Sequence, residues 1–156
     1  MTILKKTVLT AACVGAMLFA GGASAAGTQT LTPTANVLAT CVFTTGPYSM
    51  PFGNLSPGNI GAFVQTTTLS YQCTNGTAAS SIKVNTAVSP TTVNIANGTS
   101  TLPVLLSWAV PATLGQGIGP AIPVIQTTIT GNINASDVDV ATAGNYTGIY
   151  NIDLLP

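Results

Sequence analysis

The chain has 156 residues but almost no charge, with three basic residues, three acidic residues and no His. Without His, Ser-His-Asp and Cys-His catalysis are excluded, and without Glu a catalytic carboxylate pair would have to come from the three Asp. The scarcity of Lys and the absence of Arg also exclude nucleic-acid binding and polybasic membrane attachment. We therefore expect this chain to have no catalytic residue, no cofactor and no metal site.

Residues 1–25 have the pattern of a secretory signal peptide. Two Lys near the start supply positive charge, residues 8–20 are mainly apolar, and Ala23-Ser-Ala25 fits a signal-peptidase site. A transmembrane anchor would need a longer apolar stretch, and a lipoprotein anchor at Cys13 lacks the usual preceding residues. We expect export with cleavage after Ala25. Because no second apolar span follows, we expect no membrane insertion of the mature chain.

Residues 26–40 form an N-terminal segment in which apolar and polar side chains alternate from residue 29 onward. Alternation with a period of two predicts a β-strand with one apolar face. The apolar face carries Leu31, Pro33, Ala35, Val37 and Ala39, and the polar face carries Thr30, Thr32, Thr34 and Asn36. Pro33 cannot donate a ladder hydrogen bond, so this strand belongs at a sheet edge or in an unusual pairing.

Loss of the signal peptide would remove Cys13 and leave Cys41 and Cys73. An even pair of cysteines in an exported chain predicts one disulfide. Two free thiols or a metal site are the alternatives, but a metal site would lack ligands in a chain without His or Glu.

The rest of the chain, residues 41–156, reads as one domain of short strands separated by turns. The predicted strands are Ala62–Cys73, Ser81–Ala87, Val93–Ala96, Val104–Val110, Val124–Asn132 and Tyr146–Leu155. Turn signals between them include Asn75-Gly76, Ser89-Pro90 and Asn97-Gly98. With the N-terminal segment this makes about seven strands, which indicates an all-β sandwich.

Few residues of this domain suggest chemistry. Asp137 and Asp139 would share one face of a strand, but two carboxylates are too few for a calcium site. Lys83 is most simply a solvated strand residue. The glycine-rich run Gly115–Pro120 lacks the Lys and helix of a phosphate-binding loop, so we interpret it as a flexible turn. Trp108 shares a strand face with apolar neighbours, which favours burial over stacking on a sugar.

Several short motifs follow the alternating segment in a fixed order: Cys41-Val-Phe, Pro51-Phe-Gly-Asn-Leu-Ser, Leu69-Ser-Tyr-Gln-Cys73, Thr128-Ile-Thr-Gly-Asn-Ile and Gly144-Asn-Tyr146. Their order resembles the spore coat protein U domain family, which includes subunits of archaic chaperone–usher pili. The chain departs from the family pattern at Gly148, where Asp is usual, and at Ala109, where Gly usually follows the Trp.

The resemblance implies an immunoglobulin-like sandwich that lacks one strand and is completed by a donor strand from another subunit. The donor would be residues 28–40, with its apolar face in the groove of a neighbouring copy or a related pilus subunit. A periplasmic chaperone and an outer-membrane usher would be the assembly partners, and the product would be a cell-surface fibre for adhesion or biofilm formation. An ordinary first strand paired within its own chain is the alternative interpretation of residues 28–40.

Two other functions fit the same fold. One is a non-fibrous spore-coat or surface-matrix protein. The other is a carbohydrate-binding module that uses Trp108 and Tyr side chains.

Overall fold

The structure is a computed structural model that describes residues 29–156. The predicted signal peptide, residues 1–25, lies outside the described residues. The chain divides after Ala35 into two units, and all of the described strands lie in the second, Asn36–Pro156. Within the part that the structure describes, no helix is long and apolar enough to cross a membrane.

Seven strands and one short helix follow one another along the chain. They are β1 (Cys41–Phe43), β2 (Phe63–Cys73), β3 (Ser81–Val84), β4 (Thr91–Asn97), β5 (Ser100–Ser107), β6 (Ile125–Ile133), α1 (Ala135–Asp139) and β7 (Ile152–Leu155). The strands form a five-stranded antiparallel sheet in the order β1-β2-β6-β5-β4 and a two-stranded sheet of β3 and β7. The predicted all-β fold is confirmed.

The core consists of alternate side chains from both sheets, as the period of a strand requires. On β5 and β6 these are Leu102, Val104, Leu106, Ile129 and Ile133, all of them buried. The same apolar cluster includes Ile82 and Val84 of β3. One core therefore holds both sheets together.

Trp108 links the end of β5 to the second sheet. Its indole N–H donates to the carbonyl oxygen of Ile82 over 3.0 Å, and its backbone N–H donates to Ser89 Oγ over 2.8 Å. The side chain is half-buried and packs against the core. Its polar atom is thus used inside the protein, as expected of a structural Trp.

The predicted turn at Asn97-Gly98 forms the hairpin between β4 and β5. Asn97 pairs with Ser100, so the loop contains only Gly98 and Thr99. Gly98 has φ +60°, a left-handed conformation that glycine adopts without steric cost. The hairpin brings the start of β5 forward to Ser100, four residues before the predicted start at Val104.

The N-terminal segment forms no strand over residues 29–40. Leu31 is 89 % exposed, Val37 78 % and Leu38 72 %. In this structure it is therefore not an ordinary first strand paired within its own chain. Its apolar face remains exposed to solvent, which is unfavourable for large aliphatic side chains.

Candidate functional site

A large apolar groove lies over the inner face of the five-stranded sheet, and we call it the core groove. Its volume is about 1410 Å³. Its floor consists of inward side chains of β4, β5 and β6, namely Val93, Ile95, Leu102, Val104, Leu106 and Ile129. All of these side chains except that of Ile95 are themselves buried, so the core groove overlies the packed core of the domain.

One side of the core groove, the first wall, is the chain that follows β1, residues 43–55. Tyr48 fixes this wall to β2, because its hydroxyl lies 3.2 Å from the carbonyl oxygen of Ser70 and 3.3 Å from its N–H. The Tyr48 ring also packs edge-on against Phe43, with centroids 5.8 Å apart. A side chain thus occupies the β2 edge where β1 has ended.

Gly131 of β6 makes room for the first wall. A Cβ atom at this position would meet the sulfur of Met50 and would lie 2.9 Å from Phe52 Cζ and 3.4 Å from Leu106 Cδ2. Two wall side chains therefore occupy the space that a side chain on β6 would need. The absence of a side chain at Gly131 is what seats this wall against the sheet.

We expect Gly131→Ala to destabilise the domain by about 1–3 kcal/mol, because the added methyl overpacks a filled site and displaces Met50 and Phe52. Urea unfolding of the secreted, disulfide-bonded chain measures the effect. Gly61→Ala is the matched control, since a Cβ there meets nothing within 4 Å. Equal urea midpoints for the two variants would show that the wall does not depend on Gly131.

The opposite side of the core groove, the second wall, is residues 141–151, which lead into β7. Thr147 attaches this wall to the edge of β4, because it exchanges backbone hydrogen bonds of 2.8 and 3.0 Å with Ala96. The Tyr150 hydroxyl donates to the carbonyl oxygen of Asn94. Burial raises the pKa of Tyr150, so this hydroxyl stays protonated and keeps its role as a donor. These contacts replace the strand that the sequence predicts from Tyr146.

β7 has one paired edge and one unpaired edge within residues 36–156. Asn151, directly before β7, accepts a 2.9 Å hydrogen bond from the N–H of Asn85, so its peptide groups face β3. Peptide groups alternate between the two edges of a strand, so those of Ile152 and Leu154 face the other edge. Among the described strands, β3 is the only one that is hydrogen-bonded to β7. The peptide groups of Ile152 and Leu154 are therefore not paired with any described strand.

The lining of the core groove is neutral. Among the described residues that line it, none carries a charged side chain. The polar groups present are hydroxyls, amides and peptide groups, with Tyr48, Tyr146 and Tyr150 as the titratable ones. Such a surface can bind an apolar, uncharged chain through burial and backbone hydrogen bonds. It offers neither a nucleophile–base pair nor a cluster of carboxylates.

The predicted disulfide is present. Cys41 of β1 is bonded to Cys73 at the end of β2, over a sequence separation of 32 residues, and the two lie opposite each other in the β1–β2 register. Directly beyond it, Thr74 holds the end of the N-terminal segment. Its hydroxyl lies 3.2 Å from both the N–H and the carbonyl oxygen of Thr40 and 3.3 Å from the carbonyl oxygen of Leu38.

The remaining candidate residues lie apart from the core groove. Asp137 and Asp139 are in α1, not on a strand, and accept hydrogen bonds from Asn134 and from the N–H of Gly58. Lys83 lies opposite Asp153 in the β3–β7 register. No cluster of three potential metal ligands occurs among the residues searched, which are those that the structure describes.

The glycine-rich run Gly115–Pro120 ends in a turn, as predicted, and hydrogen bonds attach it to the end of β2. Gly117 donates its N–H to the carbonyl oxygen of Cys73 over 3.1 Å, and the Gln72 amide exchanges hydrogen bonds with the backbone of Gly119. A Cβ at Gly115 would collide with the backbone of Cys73. The glycines allow this loop to pack directly on the end of β2.

Comparison of the chain with protein-family models, with curated proteins and with solved structures finds no significant match.

Sequence reasoning identified the N-terminal segment and the disulfide, and the resemblance implied an apolar groove, but the residues that line the core groove were not predicted. The two walls coincide with two motifs that carried the family resemblance, Pro51-Phe-Gly and Gly144-Asn-Tyr146. Both walls contain Gly, Pro or Asn between aromatic residues, a pattern that favours irregular backbone over a strand. This pattern is the sequence feature that could have indicated the walls.

Proposed function

We propose that this chain is a structural subunit of an extracellular fibre assembled by donor-strand complementation. The core groove is the observation that carries the proposal, since it is a large, mainly apolar groove with no charged side chain in its lining. Its volume of about 1410 Å³ exceeds the roughly 300–1,000 Å³ typical of small-molecule sites. A peptide strand is therefore a better match for it than a small ligand.

The occupant in this proposal is the N-terminal segment, residues 28–40, of another copy or of a related subunit. Its apolar face is Leu31, Pro33, Ala35, Val37 and Ala39, and the segment has no charged side chain. Full burial of a Leu or Val side chain contributes roughly 1.5–3 kcal/mol. Pairing with the unpaired edge of β7 adds backbone hydrogen bonds, as in other cases of strand addition.

The donor completes an immunoglobulin-like sandwich in this proposal, with the inserted strand beside β7. The resemblance to archaic chaperone–usher subunits implies three further steps. The chain is exported through the periplasm, a chaperone fills the groove before assembly, and an outer-membrane usher assembles the fibre. Adhesion or biofilm formation is the resulting role of the fibre. The subunit contributes burial and backbone pairing and carries out no reaction.

Deletion of residues 27–40 tests the proposal. We expect the truncated chain to be exported and to remain as a chaperone-bound domain, with no fibres in electron micrographs of the secreted material. A synthetic peptide of residues 28–40 should bind this domain and raise its melting temperature, because it fills the core groove. Fibres formed by the truncated chain, or a peptide without effect on melting, would contradict the proposal.

A further inference from the structure

A second unpaired strand edge lies on β2, away from β7. β6 pairs with β2 from Phe63 to Tyr71, but β1 covers the opposite edge only from Tyr71 to Cys73. The carbonyl oxygen of Ser70 accepts a 2.9 Å hydrogen bond from the N–H of Thr44, and the Tyr48 hydroxyl lies within hydrogen-bond distance of both the N–H and the carbonyl oxygen of Ser70. From Thr68 back to Val64, no described strand lies on this side of β2.

The alternation of a strand identifies which peptide groups are uncovered. Ser70 directs its N–H and C=O toward the β1 side, so Thr68, Thr66 and Val64 do the same. These three residues have exposed side chains on the outer face of the sheet. We call residues 64–68 the β2 edge. It presents three N–H groups and three C=O groups in a row.

The β2 edge lacks the features by which proteins usually prevent edge-to-edge pairing. Exposed edges normally carry Lys, Pro, a bulge or an inward charge. The β2 edge reads Val-Gln-Thr-Thr-Thr, which contains no charge, no Pro and no Gly, and four of its five residues are β-branched. Its register with β6 runs without interruption, so no bulge bends it away.

The outer face beside the β2 edge adds apolar surface. Val64 and Leu105 are 52 % and 46 % exposed and flank Asn132 of β6 in the same row. The Asn132 Oδ1 atom is buried without a hydrogen-bond partner among the described residues. This row is an apolar surface next to an unpaired edge.

We infer that the β2 edge pairs antiparallel with the β2 edge of a second copy, extending the five-stranded sheet across both. A second copy suits this edge because its own β2 edge is equally uncharged and β-branched, so the two edges meet without charge repulsion. An antiparallel pair centred near Thr66 is self-complementary, as a two-fold contact requires. The β2 edge is distinct from the edge of β7, so in a fibre it joins subunits side by side.

A positive charge introduced on the β2 edge tests the inference. Sedimentation velocity of full-length chains that carry Val37→Asp, a change expected to prevent donor-strand assembly, should show pairs when Thr66 is kept and single chains when Thr66→Lys is added, because Lys blocks edge pairing. Thr128→Lys is the matched control, since Thr128 is an exposed residue of the same face on β6, opposite Thr68 and one strand in from the β2 edge. In the same Val37→Asp background it should pair like the chain that keeps Thr66. Pairs formed with Thr66→Lys, or single chains at all concentrations when Thr66 is kept, would overturn the inference.

A cysteine variant gives a second, positive readout. Opposite residues of an antiparallel pair have Cα atoms about 4.5–5.5 Å apart, which a disulfide can span. Thr66→Cys should therefore form a cross-linked dimer on a non-reducing gel, and Thr128→Cys should not. Chains lacking residues 27–40 should behave in the same way, so failure of edge pairing and failure of donor-strand assembly give separate results. A Thr66→Cys chain that stays monomeric under oxidising conditions would count against the inference.

Discussion

We expect a Val37→Asp chain to be exported normally and to form no fibres. In the proposed assembly Val37 enters the core groove of the next subunit, where no charged side chain lines the wall or floor. A carboxylate there would lose its hydration without gaining a partner, at a cost of several kcal/mol. That cost exceeds the roughly 1.5–3 kcal/mol that the buried Val would contribute. Fibre yield in electron micrographs is the measurement.

Asn36→Asp is the matched control. It adds the same charge at the neighbouring position, but on the face of the donor that stays in solvent. We expect fibre yield close to that of the wild type. Equal loss in both variants would show that net charge, and not burial of position 37, governs assembly.

Acidification provides a further check on the Val37→Asp variant. Burial disfavours the charged form of a carboxyl group, so the pKa of the introduced carboxyl group in an assembled fibre would lie above its usual value of about 4. Lowering the pH supplies the neutral form, and we expect fibres to reappear as the pH falls toward about 4. Failure to recover in acid would indicate that size or shape at position 37 matters more than charge.

Sequence patterns predicted the long strands because those strands obey simple rules. Burial alternates along all 9 residues of β6 and along β2 from Thr67 to Tyr71, and the observed bounds of both strands differ from the predicted ones by no more than one residue. β1 has only three residues, too few for a period of two to be recognised. α1 has five residues, and only Val138 among them is buried, so no helical stripe exists to be found.

The predictions that differed from the structure depended on contacts between distant parts of the chain. The alternation from Tyr146 to Leu155 predicted one long strand, but Thr147 pairs with Ala96 of β4 and the ladder with β3 begins only at Ile152. Gly115 lies against Cys73, 42 positions earlier, and nothing in its local sequence indicates that packing. The core groove arises in the same way, since neither wall contains the residues that form its floor.

The donor segment illustrates a different limit. Its alternation is the clearest in the chain, yet residues 29–40 form no strand in the isolated subunit. Period-two patterning specifies which side chains lie on one face, but a strand also needs a neighbour to accept and donate its hydrogen bonds. A strong strand pattern without a strand is what we expect of a segment whose partner is another molecule.

Removal of the disulfide should have the largest effect on the stability of the domain itself. We expect the Cys41→Ala/Cys73→Ala chain to lose roughly 3–4 kcal/mol of unfolding free energy, the loop-closure contribution expected for a bridge of this span. Without the bridge, β1 would be held by three ladder positions, the Thr44–Ser70 bond and the Thr74 contacts. Urea unfolding measures the loss. Dithiothreitol should shift the wild type to the midpoint of the double variant and leave the variant unchanged.

The position of the bridge also gives it a mechanical role in the proposed fibre. The donor leaves the domain at Thr40, and the next residue, Cys41, is bonded to the end of β2. β2 pairs with the central strand β6 over nine positions, from Phe63 to Tyr71. Tension on the donor therefore passes through a covalent bond into the middle of the larger sheet, bypassing the short strand β1. Fibres of the double variant should break at lower force than wild-type fibres in single-fibre pulling. Equal rupture forces would show that the hydrogen bonds of β1 and Thr74 carry the tension without the disulfide.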